Sequence, residues 1–157
     1  MREQLRRYFR GGLLASALLL SASATAQNPA PSDDGGVRPP VTTADLQIVK
    51  RAQQILSSER KWNRADNRVC PAGAKTVSLY CALQRATIEV SGKAEHRGAA
   101  LQEVRFVIDE IVVDRGYKHR LMDYNNDPLT TFADVQEVLR VAESLIRLRL
   151  KANEATR

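Results

Sequence analysis

The chain is poor in the residues that build metal and redox centres. It has two cysteines, Cys70 and Cys81, and two histidines, His96 and His119. A zinc site takes four ligands, so a site here would need all four of these side chains, and their spacing follows no zinc pattern. A thioredoxin-type pair has two residues between its cysteines, whereas ten separate these. Asn63, Asp66 and Asn67 offer oxygen ligands without the regular acidic spacing of a calcium loop. No metal and no cofactor are expected.

A membrane-spanning run is also missing. Crossing the hydrocarbon core takes about 20 apolar residues, and the uncharged run from Gly11 to Ser23 supplies about 13. Arg2, Arg6, Arg7 and Arg10 precede it, and the small residues of Ala24-Thr25-Ala26 follow it. A basic start, a short apolar stretch and a small-residue cut site are the marks of a signal peptide. Residues 1–26 are read as that leader, with cleavage near Ala26. No cysteine lies near the cut to take a lipid. The expected location is the bacterial periplasm or the exterior, with no stable transmembrane anchor.

Strong positive charge is absent once the leader is gone. The whole chain carries a formal +6, of which four arginines and Glu3 place +3 in the leader. The remaining excess is too small to argue for nucleic acid as a partner. Residues 27–41, QNPAPSDDGGVRPPV, hold four prolines and almost nothing to bury, so they read as a disordered linker. One domain is left, 42–153, with no internal repeat and no feature that sets an oligomeric state.

Within it the apolar spacing is helical. Thr42 with Asp45 forms a capping-box pattern. Ile48, Val49, Ala52, Ile55 and Leu56 then share one face, giving a helix from about Asp45 to Arg60. A loop rich in turn formers follows. Ser78 can cap a second helix carrying Leu79, Ala82, Leu83, Ala86 and Val90, ended by Ser91-Gly92. A third opens near His96 or Gly98, carries Leu101, Val104, Val107, Ile108 and Ile111, and has Gly116 as its left-handed stop. Ile108 to Val113 is β-branched enough to admit a short strand, although the spacing favours helix. Thr131 and Asp134 repeat the cap pattern ahead of Val135, Val138, Leu139, Ala142, Leu145 and Ile146, with Arg147, Arg149 and Lys151 in the final turns, complementing the helix dipole. The expected fold is mainly all-α, a compact bundle of about four amphipathic helices.

The cysteines fall in the loop and in the first turn of the second helix. Free thiols would serve as small hydrophobes, but in an oxidising compartment an even pair this close bonds. A Cys70–Cys81 disulfide is expected.

Three patches carry a resemblance: Trp62-Asn63 after the first helix, Cys81-Ala82-Leu83 opening the second, and Tyr124-Asn125-Asn126-Asp127 leading through Thr131 and Val135 into the last. Their order is similar to that of a family of small uncharacterised bacterial and phage proteins, a domain of unknown function, over residues 46–147. The resemblance implies a mainly helical fold and names no activity. The leader, the proline linker and the cysteine pair depart from that pattern.

The most chemically varied stretch is Tyr117 to Pro128. A hydrolytic reading makes His119 a general base oriented by Asp123 or Asp127, with Asn126 holding an oxyanion. No serine or cysteine nucleophile accompanies them, and the same residues serve equally as turn formers. Trp62 either closes one end of the core or anchors a partner. Arg140, Arg147 and Lys151 on the last helix, and Arg115, Lys118 and Arg120 before the Asn-Asp loop, are candidates for meeting an anionic envelope component, though Glu143 sits four residues before Arg147, where it favours pairing. The leading expectation is an exported, non-catalytic binding module of the cell envelope, with an envelope protein or an anionic ligand as partner. The alternative is a small secreted hydrolase using His119 and the Asp123–Asp127 loop.

Overall fold

In the computed structural model, residues 38–113 and 115–156 are described. The stretch read as a leader, 1–26, and residues 27–37 lie outside the described residues. Five α-helices are present among those described: α1 (Thr43–Ile55), α2 (Leu79–Ser91), α3 (Ala99–Ile111), α4 (Arg120–Asn126) and α5 (Phe132–Ala155). A 3-10 turn spans Glu59–Lys61, and an isolated bridge pairs Trp62 with Val77. The fold is all-α.

The helix starts follow from their caps. Asp45 Oδ2 accepts from Thr42 N at 2.8 Å and from Thr42 Oγ1 at 2.7 Å, while Thr42 Oγ1 accepts from Asp45 N, closing a capping box. The other oxygen, Asp45 Oδ1, accepts from Ala100 N at 3.0 Å, in the first turn of α3. The cap of α3 is Gly98, which has no side chain to do this, so one carboxylate secures two helix starts. Ser78 caps α2 through Cys81 N, and Thr131 with Asp134 caps α5.

The stops differ in three places from the sequence expectation. α1 ends at Ile55, and Glu59–Lys61 tightens into the 3-10 turn instead of extending the helix to Arg60. Gly92 ends α2 in the left-handed region at φ 78°, where only glycine is free of a Cβ penalty. Gly116, at φ 59°, is not the stop of α3. That helix ends at Ile111 with Val112 as its cap, and Ile108 to Ile111 are helical, not strand. α5 runs on to Ala155, so Arg147, Arg149 and Lys151 precede its last turn, which holds no basic residue. They are not placed to complement its dipole.

α1 packs on α2, α5 and α3, and α3 on α5 and α4. The expected stripes meet in one core, including Val49, Ala52, Leu83, Ala86, Val104, Ile108, Val138, Leu139 and Ile146, all fully buried. Ile111 instead faces outward. The packed body also begins before Thr42. Val41 is in the core. Arg38 pairs with the fully buried Glu103 at 2.7 Å and with Glu110, and its guanidinium lies 4.9 Å from the Phe106 ring centroid. Arg149 reaches Glu103 from α5 at 2.6 Å and donates to Pro39 O at 2.6 Å. Residues 38–41 thus pack on the helical body: α3 takes up the charge of Arg38, Arg149 of α5 meets the Pro39 carbonyl, and Val41 joins the core.

Candidate functional site

The polar stretch 117–128 divides into groups that hold the fold and groups that face an opening. α4 explains the division. Its buried positions are Arg120, Leu121, Tyr124 and Asn125, a helical stripe in which an asparagine and an arginine take apolar places.

Asn125 is fully buried. Its Oδ1 accepts from Trp62 Nε1 at 2.7 Å and from Leu79 N at 2.9 Å. Its Nδ2 donates to Asn63 O at 2.9 Å and Arg64 O at 3.1 Å. One amide thus ties together the loop after α1, the start of α2 and α4. Asn126 continues the stitch: Oδ1 accepts from Asp66 N at 2.7 Å and Nδ2 donates to Asp66 O at 2.8 Å. Trp62 is only 8% exposed and packs 6.1 Å from Phe132, centroid to centroid. It is a core residue, and the Arg64 guanidinium lies 5.3 Å from its ring centroid. A Cys70–Cys81 disulfide fastens the same loop to α2.

The residues of the hydrolytic reading do not assemble. Asp123 Oδ2 accepts from the backbone of Lys118 and His119, both at 2.8 Å, and so caps α4. Asp127 accepts from Tyr117 Oη at 2.5 Å, Arg115 Nη1 at 2.6 Å and Leu129 N at 2.8 Å. These bonds, the Tyr117 hydroxyl foremost, hold its carboxyl down at about 2. Asn126, committed to Asp66, is not positioned as an oxyanion donor. None of the three is hydrogen-bonded to the His119 ring. No group of three or more His, Cys, Asp or Glu among the described residues is placed to hold a metal ion.

His119 instead lines a cleft of about 380 Å³ between the loop before α2, the α2–α3 loop, α3 and the start of α4. Five cationic side chains line it, Arg68, Arg97, Arg105, Lys118 and Arg120, together with both histidines, and no carboxylate does among the described residues. Tyr80 and His96 form one wall, with rings stacked at 13° and Tyr80 Oη 2.6 Å from His96 Nδ1. Burial pushes the Tyr80 hydroxyl up from its usual value, so it stays protonated beside the ring nitrogen.

The cations are not equivalent. Arg105 donates to His96 O at 3.0 Å and Gln102 Oε1 at 3.3 Å. Arg120 is buried, paired with Asp109 and within 5.9 Å of the Phe106 ring centroid. Arg97 is engaged as well. Arg68 and Lys118 are exposed, and their side chains donate no hydrogen bond among those described. Arg68 is also, among the described residues, the non-glycine residue found at positive φ, 63°, a conformation that costs an L-residue about 1 kcal/mol. Asx turns hold it there: Asp66 Oδ1 accepts from Arg68 N at 2.7 Å and Asn67 Oδ1 from Val69 N at 3.0 Å. Asp66 Oδ2 is the buried side-chain oxygen left without a partner among the described residues.

The basic face expected on α5 is more heavily paired. Arg140 bonds Glu137, and Arg147 bonds Glu143 at 2.6 Å. Lys151 is exposed. Sequence reading named Lys118, Arg120 and His119 but not Arg68, Tyr80, His96, Arg97 or Arg105 as their neighbours. Those residues come from four other segments, and only the packing of α3 against α4 and of α2 against α4 gathers them.

No curated protein and no solved structure matches the chain. Residues 40–145 match the model of a family of unknown function, DUF6197. The match covers α1 to α4, the first part of α5, the Trp62–Asn125 stitch and the cationic cleft, and the chain belongs to that family.

Proposed function

We propose that this protein is an exported, non-catalytic binding module of the bacterial cell envelope, and that it holds an anionic group in the cleft of Arg68, Lys118 and His119. One observation carries the reading. Arg68 and Lys118, exposed and with no side-chain hydrogen bond donated among those described, meet beside His119 at a single opening that no carboxylate lines among the described residues, and such a cleft concentrates positive potential. The strained backbone at Arg68 supports it, since strain of this kind gathers at ligand sites. Export is supported by the leader sequence and by a disulfide of the sort that persists in oxidising compartments. An envelope protein bearing an acidic group and a free anionic ligand are both compatible partners.

Thermal unfolding of the purified protein against a panel of anions at low salt tests the binding. A saturable rise in midpoint, lost in Lys118→Glu, is expected. A flat response to every anion contradicts it. For export, N-terminal sequencing of the product from a periplasmic fraction should begin at Gln27. An untrimmed product retained in the cytoplasm contradicts that half of the reading.

A further inference from the structure

We infer that the group this cleft takes is a phosphate monoester. The inference rests on the anion-binding reading and narrows it. The available donors come from two separate segments. Arg68 enters from the loop before α2, and Lys118 and His119 from the segment that opens α4, while Arg97 and Arg105, already engaged, complete the lining from the α2–α3 loop and α3. A carboxylate offers two coplanar oxygens and one charge, which a single guanidinium fork satisfies. A phosphate monoester offers three terminal oxygens on different sides and about −1.5 to −2 charges at pH 7. It can meet a fork, an ammonium point charge and a ring N–H at once.

The volume fits a small molecule rather than a bare ion. About 380 Å³ falls within the range of small-ligand pockets, and the stacked Tyr80–His96 pair and the half-buried Met122 give the organic part of an ester an apolar wall. The phosphate could be that of a soluble ester or of a lipid headgroup; the recognition chemistry is the same.

Isothermal titration at pH 7 and low salt tests this with phenyl phosphate, using benzoate and glucuronate as carboxylate controls, and with sedimentation of phosphatidate vesicles as a second arm. Phenyl phosphate is expected to bind at least about tenfold tighter than either carboxylate. Lys118→Gln and Arg68→Asn should each weaken it about tenfold while keeping the wild-type unfolding midpoint; asparagine accepts the left-handed backbone at position 68. Vesicle capture that phenyl phosphate reverses supports the assignment with a lipid source, and ester binding without capture supports it with a soluble one. Benzoate or glucuronate binding as tightly as phenyl phosphate overturns the phosphate assignment and leaves anion binding standing. Binding of no anion overturns both.

Discussion

Asp66 and Arg68 are two residues apart and belong to different parts of the molecule's chemistry. Asp66 is buried, clasped through its backbone by the Asn126 amide, and turns the chain. Arg68, just beyond that turn, reaches an open cleft. The same split recurs after α3. Asn125 and Asn126 are used up in stitching loops to helices, while Lys118 and His119, on the other side of α4's first turn, line the opening. Polar side chains whose donors and acceptors are matched inside the fold specify it. Those left facing a volume are free to recognise something else. Residue type alone does not separate the two fates, because asparagine, aspartate and arginine occur in both.

Breaking the stitched region should have the largest effect. Asn125→Ala leaves the Trp62 N–H, the Leu79 N–H and two loop carbonyls without their buried partner. A loss of about 3 kcal/mol or more is expected from urea unfolding. A loss below about 1 kcal/mol would mean that the stitch is incidental. Removing the disulfide as Cys70→Ser with Cys81→Ser comes next. Its sequence separation of 11 gives a chain-entropy estimate of about 3 kcal/mol, read from the same titration. Trp62→Phe keeps the ring and deletes the N–H donor to Asn125, for an expected loss of about 1 kcal/mol.

How much of this was legible in the sequence depends on what each position does with its side chain. Helices whose faces are apolar were readable, and so were the caps at Thr42, Ser78 and Thr131, since each acts within its own few residues. α4 was not. It has only seven residues, and its inward stripe includes Asn125 and Arg120, so its polarity resembles a loop. The sharing of Asp45 between α1 and α3 joins residues 55 apart, and no local pattern encodes that. The cleft was half legible: Lys118 and Arg120 stood out as a cluster, whereas His96 and Arg68 had no sequence neighbour to signal them. Arg38 and Val41 were lost among prolines, because composition gives no sign that two residues of a proline-rich segment will pack.

Two smaller effects sharpen the contrast. In the cleft, Arg68→Asn should leave the urea midpoint within about 0.5 kcal/mol of wild type, against the large loss at Asn125. At the rim of α4, the Tyr117, Leu129 and Arg115 bonds hold the Asp127 carboxyl at about 2, against an ordinary 3.8. A lowered folded value means that this pairing stabilises the fold above the ordinary value and is lost as pH falls from about 4 to about 2. Asp127→Asn should flatten that part of the acid limb in urea midpoints measured against pH. An unchanged acid limb would show that the carboxylate's bonds contribute nothing.

The most direct test maps ligand contact onto the two regions at once. In two-dimensional amide and side-chain NMR spectra titrated with phenyl phosphate, the signals of Arg68, Tyr80, His96, Lys118 and His119 should shift saturably, while the Trp62 indole and Asn125 amide stay in place. Shifts confined to Arg140, Arg147 and Lys151 on α5, or no shifts at all, would contradict the cleft as the binding site.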